Sequence, residues 1–261
     1  MQYFLFALSI VLVIITFIPL IKNEYWIFRV CDYPRLQKLV INTFCIAGLV
    51  LYSSMESGYH FNELLLLIMI LNAFYLTRQI LPFTWLGKKQ VQRIEAEIPE
   101  NGFSVMISNV YQDNKNYKGC LEEIKKANPD VLLLLETDGA WDKETNSLED
   151  HFPFYKKVPL ENTYGMLLYS KLELEHTEVK YLVEKDIPSI HSQIVLPSGQ
   201  RVQMYAVHPE PPVPMENPSS KERDKELLLV ADLAKDSNLP VIVIGDLNDV
   251  AWSYTTELFL K

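Results

Sequence analysis

The chain has 261 residues, of which 49% are hydrophobic, 22% charged and 11% aromatic. That length predicts one large domain or two modest ones, and so much apolar surface excludes a disordered chain. The net charge of −9 is unevenly spread: residues 1–100 carry 8 Lys and Arg against 7 Asp and Glu, while residues 101–261 carry 16 against 26. So acidic a second half is a poor match for gripping long DNA by phosphate neutralisation, and leaves a small or membrane-borne phosphate ester open. Cys31, Cys45 and Cys120 are odd in number and widely spaced, which supports neither a disulfide framework nor a zinc site.

In chain order, residues 3–21 carry no charge, enough at 1.5 Å per residue to cross most of a hydrocarbon core of roughly 30 Å. Met-Gln-Tyr precedes the run and Pro19-Leu-Ile-Lys22 ends it, so the run lacks the basic start and small-residue cleavage site of a signal peptide and reads as a retained span. The segment NEYWIFRVCDYPRLQK follows, with Trp26 among alternating apolar and charged residues. It reads as a membrane-surface helix, with lipid-headgroup binding through Arg29 or Arg35 as the sharper alternative. Residues 39–55 and 64–77 form two further apolar runs. The third extends to Phe83 if Arg78 snorkels to the interface, and the link at 53–63 fits a tight hairpin. Lys22, Arg29, Arg35 and Lys38 lie in the first loop, none in the second, and Arg78, Lys88, Lys89 and Arg93 after the third run. The positive-inside rule then predicts a multi-pass protein of the inner (cytoplasmic) membrane with its soluble domain on the cytoplasmic side. Residues 1–86 are thus the membrane region, 87–101 a polar linker, and 102–261 a separate domain.

The second half alternates strand and helix patterns. Residues 103–110 (FSVMISNV) and 131–135 (VLLLL) read as buried strands flanking a helix at 117–127. Helical patterning returns at 140–150, 221–235 and 252–260, and further strands are expected at 164–169, 178–183, 191–196, 201–207 and 241–244. This is the order of a layered α+β domain. Polar residues gather at strand ends: Asn109, Glu136, His208, and Asp246 with Asn248 in GDLND. Singly, each has a structural reading as a cap, a turn residue or a hydrogen-bonded histidine. Together they are an oxygen-rich set with one imidazole, suited to a hard cation and phosphate, at the place where open sheets collect chemistry.

The segments SNV (108–110), PDVLLLLE (129–136), TYGMLLYSK (163–171), AVHPEPP (206–212) and IGDLND (244–249) resemble the endonuclease/exonuclease/phosphatase superfamily, most closely its membrane-anchored bacterial branch. The resemblance implies α+β architecture: N-terminal transmembrane helices and then a partial four-layer sandwich of two sheets flanked by helices. It further implies that Glu136 and Asn109 serve the metal, that His208 hydrogen-bonds a phosphate oxygen, and that Asp246 and Asn248 orient the attacking water. The metal expected is Mg²⁺, with Mn²⁺ as the alternative. Leu135 stands where the family usually has Gln, and no Ser-Asp-His motif follows GDLND before Lys261. The chain is therefore expected to be shortened at its C-terminus, and this piece to be inactive. The function expected is a metal-dependent phosphoesterase with the lipid bilayer and a phosphate-containing small molecule or lipid as partners. A non-catalytic membrane scaffold and a nuclease are the alternatives, with nucleic acid disfavoured by charge.

Overall fold

The computed structural model describes residues 2–55, 60–89, 101–215 and 217–261. The expected linker thus lies outside the described residues over 90–100, and the expected hairpin between the second and third spans over 56–59. Two compact units divide the chain, residues 1–93 and 94–261.

The first unit is helical: α1 (Gln2–Phe17), α2 (Trp26–Val30), α3 (Arg35–Met55) and α4 (His60–Ile80). Within it Tyr3–Leu20, Arg35–Ser53 and Asn62–Phe83 are long and apolar enough to cross a membrane. α3 starts earlier than the apolar run because its first turns satisfy their own charges. Arg35 pairs with Asp32 at 2.8 Å and Lys38 Nζ donates to the Cys31 carbonyl at 2.6 Å. Leu12, Cys45, Leu49, Leu65 and Met69 pack the three long helices together, while Phe44 and Phe74 point outward. Two buried amides cross the bundle: Asn42 Nδ2 donates to the Met69 carbonyl and Asn72 Nδ2 to Asn42 Oδ1, both at 2.9 Å. In apolar surroundings such side-chain bonds hold helices in register.

The second unit contains β1 (Val105–Asn109), α5 (Tyr117–Ala127), β2 (Val131–Leu135), α6 (Gly139–Glu144), β3 (Phe154–Val158), β4 (Met166–Ser170), β5 (Leu174–Lys180), β6 (Ser189–Val195), β7 (Arg201–Val207), α7 (Lys221–Lys235), β8 (Val241–Gly245) and α8 (Tyr254–Phe259). One sheet has the order β1-β2-β4-β3 and the other β5-β6-β7-β8. Each is antiparallel except for one parallel pair, β1 with β2 and β7 with β8, whose crossovers carry α5 and α7. α5 begins where Asn116 Oδ1 accepts from the Gly119 N–H and ends at Asn128, which adopts φ 47°. The helix expected at 140–150 breaks at Thr145, whose hydroxyl donates to the Trp141 carbonyl, and a 3-10 turn over Asn146–Asp150 follows. β3 was not expected from FYKKV, with two adjacent lysines. It is an edge strand, and Lys157 pairs there with Asp142 at 2.9 Å and with Glu149.

The layers follow from which face each strand residue takes. Val131, Leu133, Leu135, Met166 and Leu168 of the first sheet meet Ile190, Ile194, Met204, Ala206 and Ile244 of the second. On the outer face of the first sheet Leu132, Leu134, Leu167 and Tyr169 pack under Ile124 and Trp141 of α5 and α6. On the other side Tyr205 and Val207 pack under Val230 of α7 and Phe259 of α8. β2 is apolar on both faces because both are covered. The result is two sheets flanked by helices, as expected.

Candidate active site

The registers decide where the polar strand ends meet. Asn109 pairs with Leu135, so Glu136 is the next residue out of β2; Val207 pairs with Gly245, so His208 and Asp246 leave β7 and β8 side by side. Parallel neighbours finish at the same edge of their sheet, which gathers four carboxyl ends there.

On the first sheet, Asn109 Nδ2 donates to Glu136 Oε1 at 2.5 Å, and Asn109 Oδ1 accepts from the Tyr111 N–H at 3.0 Å. The second bond orients the amide so that its nitrogen faces the carboxylate. Glu136 has φ 58° and Tyr111 φ 59°, left-handed conformations that cost an L-residue about 1–2 kcal/mol and collect at functional sites. On the second sheet, Gly245 has φ 140°, and a Cβ there would lie 1.8 Å from the Val207 carbonyl oxygen. Only glycine lets β8 end this close to β7. Asp246 Oδ1 then accepts from the Asn248 N–H at 3.0 Å, and Asn248, at φ 49°, donates Nδ2 to the Pro209 carbonyl at 2.9 Å. That bond ties the GDLND turn to the residue after His208.

An open cleft of about 430 Å³ separates the two groups, with Asn109 and Leu135 on one side and Gly245, Asp246 and Asp249 on the other. Asn109 and Asp246 line it directly; Glu136 joins it only through its bond to Asn109, and Asn248 only through its bond to Asp246. His208 is near but covered: it is 3% exposed, and its ring packs on Tyr164 with centroids 5.4 Å apart. A larger cavity, about 590 Å³, lies at the other end of the first sheet, away from these groups. There Lys171 Nζ is committed to Asn128, at 2.6 Å from its Oδ1.

Among the described residues no three His, Cys, Asp or Glu side chains gather as a metal cage. Magnesium asks for less, since it keeps several waters and takes one or two carboxylates. A half-buried Glu136 carboxylate at a strand end, beside the Asn109 amide, fits that donor set.

Behind the GDLND turn lies a buried charge network that the strand-end reading missed. Arg223 of α7 is 1% exposed. Its Nη2 bonds Asp224 Oδ1 at 2.7 Å and lies 3.3 Å from Asp249 Oδ2, and its Nη1 donates to the Asn248 carbonyl at 2.7 Å. Asp249 Oδ2 also accepts from Ser253, the N-cap of α8. Burial pushes the Asp249 carboxyl up and Arg223 draws it back down. The available signal was Arg223 itself, four residues before Leu227 on the apolar face of its helix.

A model of the endonuclease/exonuclease/phosphatase family matches residues 106–261. The chain belongs to this family. Its members are phosphoesterases or nucleases and generally use divalent metals. Among solved structures, D. rerio TDP2 complexed with a single strand DNA product is 20% identical with a TM-score of 0.50, covering 59% of this chain and 64% of that one. The human Nocturnin catalytic domain with a bound sulfate anion is 19% identical with a TM-score of 0.46, covering 59% and 68%. A family protein from Bacteroides vulgatus is 14% identical with a TM-score of 0.48, covering 59% and 69%. These identities speak to the fold alone, and the chain spans less than two thirds of the D. rerio protein's length in that structure. No curated protein matches the sequence.

Proposed function

We propose that this family member is a membrane-anchored, Mg²⁺-dependent phosphoesterase acting on a phosphate-containing lipid or small molecule: a phosphomonoester, a phosphodiester or a lipid-linked pyrophosphate. The observation that carries the reading is one cleft lined by Asn109 and Asp246, the first bonded to Glu136 and the second to Asn248. Glu136 and Asn109 would hold the ion, which when bound neutralises charge building on the phosphoryl oxygens. Asp246 has one carboxylate oxygen fixed by the Asn248 N–H, which aims the carboxylate as a proton acceptor for water. Asn248 commits one of its two amide protons to Pro209; the second suits a phosphoryl oxygen, without the repulsion that a carboxylate would bring. His208, packed on Tyr164, would donate a ring N–H to a phosphoryl oxygen.

The three long apolar helices support the anchor, and the basic residues of the first loop and of the stretch after α4 support a cytoplasmic position of the catalytic unit. With 26 acidic against 16 basic residues in 101–261, a lipid or small phosphate ester is favoured over nucleic acid.

The test uses the full-length natural protein in detergent, with bis(4-nitrophenyl) phosphate and a phospholipid as probes and with Mg²⁺ titrated calorimetrically. Hydrolysis should require the metal. Asp246→Asn should slow it by about 100-fold or more, and Glu136→Gln should weaken Mg²⁺ binding at least tenfold, roughly the loss of one ionic ligand. A wild-type chain that neither binds Mg²⁺ nor hydrolyses either probe would sink the enzyme reading in favour of a membrane scaffold.

A further inference from the structure

Hydrogen-bonding and ionic contacts converge on the turn that carries Asp246 and Asn248, and the guanidinium of Arg223 makes its contact from beneath. We infer that Arg223 is a positioning residue for the reaction, acting through the Asn248 backbone; this rests on the phosphoesterase reading of the same cleft.

A buried arginine needs a reason, because replacing a buried ion pair by apolar residues of similar volume is often neutral or stabilising. What an apolar residue cannot supply here is direction. The guanidinium is planar, with its donors in a rigid fork. One edge is fixed by Asp224, whose Oδ1 accepts from Nε at 3.1 Å and from Nη2 at 2.7 Å, and whose Oδ2 accepts from Ser220 Oγ at 2.9 Å. Nη2 also lies 3.3 Å from Asp249 Oδ2. With the fork held on that side, Nη1 has one position, and it donates from there to the Asn248 carbonyl at 2.7 Å. Asn248 is the residue that must stay at φ 49° for its N–H to reach Asp246 and its Nδ2 to reach Pro209. Left-handed backbone is unfavourable for an L-residue on its own, and relaxing φ at Asn248 would swing its carbonyl and its Nδ2 relative to the N–H bonded to Asp246. The Arg223 bond opposes that relaxation. At 1% exposure the side chain has no access to substrate, so its influence should fall on turnover and not on binding.

Lysine cannot copy the arrangement. Its ammonium is a single point on a flexible stem, and the acceptors on Asp224, Asp249 and Asn248 lie on different edges of the guanidinium plane.

The experiment compares wild type, Arg223→Lys, and the charge-balanced double variant Arg223→Gln/Asp249→Asn, which leaves no unpaired carboxylate at position 249. Each is made in the full-length natural protein, in detergent. Hydrolysis of bis(4-nitrophenyl) phosphate with Mg²⁺ should show kcat reduced by roughly tenfold or more, as expected of a misplaced reacting group, with KM within about twofold of wild type. Hydrogen exchange followed by mass spectrometry should show faster exchange in the peptide covering 244–250 while the peptide covering 131–135 keeps its protection. Unchanged kcat, a rise in KM alone, or exchange accelerated equally in both peptides would overturn the inference. If wild type hydrolyses no phosphoester, the proposed function fails separately, and exchange at 244–250 alone then decides whether Arg223 holds the turn.

Discussion

Replacing Gly245 by alanine tests whether the close approach of β7 and β8 sets the site. The new Cβ would fall 1.8 Å from the Val207 carbonyl oxygen and 2.9 Å from its carbon. Both are backbone atoms, so no side-chain rotation relieves the clash. The strand end must move by more than an ångström, opening the Val207–Gly245 pairing. Residue 245 would also keep a φ of 140° that only glycine adopts readily, a cost of about 1–3 kcal/mol. A lost ladder hydrogen bond adds about 1 kcal/mol. The expected destabilisation is therefore about 3 kcal/mol. Gly199→Ala is the control: it too has a positive φ, 81°, but a Cβ there meets nothing within 4 Å. It should cost only the left-handed penalty of about 1–2 kcal/mol. Thermal or urea unfolding followed by tryptophan fluorescence measures both, and phosphoester turnover gives the second reading. Gly245→Ala should also lose turnover, because Asp246 and Asn248 shift relative to Asn109, and an ångström of misplacement can cost about 100-fold. Equal stability losses for the two variants, with turnover intact in both, would refute the idea that this contact places the site.

Other expectations follow from buried groups. Glu226 on α7 is 2% exposed and, among the described residues, its Oε1 has no hydrogen-bond partner. Burial, and then Glu184, push its carboxyl from 4.5 up to about 7. A raised acid favours the folded state below pH 4.5 and loses that advantage as pH rises through 7, so Glu226→Gln should stabilise the domain by as much as ~3 kcal/mol at pH 8 and change little at pH 4.5; equal melting shifts at the two pH values would contradict this. His191, bonded to Ser189 Oγ at 3.0 Å, is lowered from 6.5 to about 4 by burial and then Lys180, against Glu178. Its contribution is present above pH 6.5 and is lost as pH falls through 4, so His191→Phe should flatten the acid limb of a melting-temperature profile. In the helical unit, Asn72→Leu removes the donor to Asn42 and should weaken helix packing by about 1 kcal/mol in detergent unfolding, a loss that Asn72→Gln should partly restore if the amide is the cause.

Much of the architecture was legible because it depends on local apolar pattern. Three uncharged runs specify three long helices whatever their neighbours, since backbone in an apolar setting must bond within itself. VLLLL at 131–135 reads as a strand covered on both faces, and its neighbours on both sides are apolar in the structure. Glu136 and Asp246 were visible as candidates because an acidic residue within two positions of the end of an apolar run lies at a strand end in any register.

What needed tertiary structure was everything set by partners distant in sequence. FYKKV is a strand only because β4 pairs with it and because Asp142 and Glu149 neutralise Lys157. The left-handed backbone of Glu136 and Asn248 is invisible in residue identity, as neither is glycine. The burial of His208 depends on Tyr164, just before β4 of the other sheet, packing against its ring. Arg223 looked like one charge on a helix rich in them. Its role depends on α7 lying across β7 and β8 so that a side chain 25 residues away reaches the Asn248 carbonyl. A sequence specifies which groups must be buried or hydrogen-bonded through their local pattern. Which group satisfies which is decided by the register of the two parallel strand pairs, and that register is fixed by packing across the whole domain.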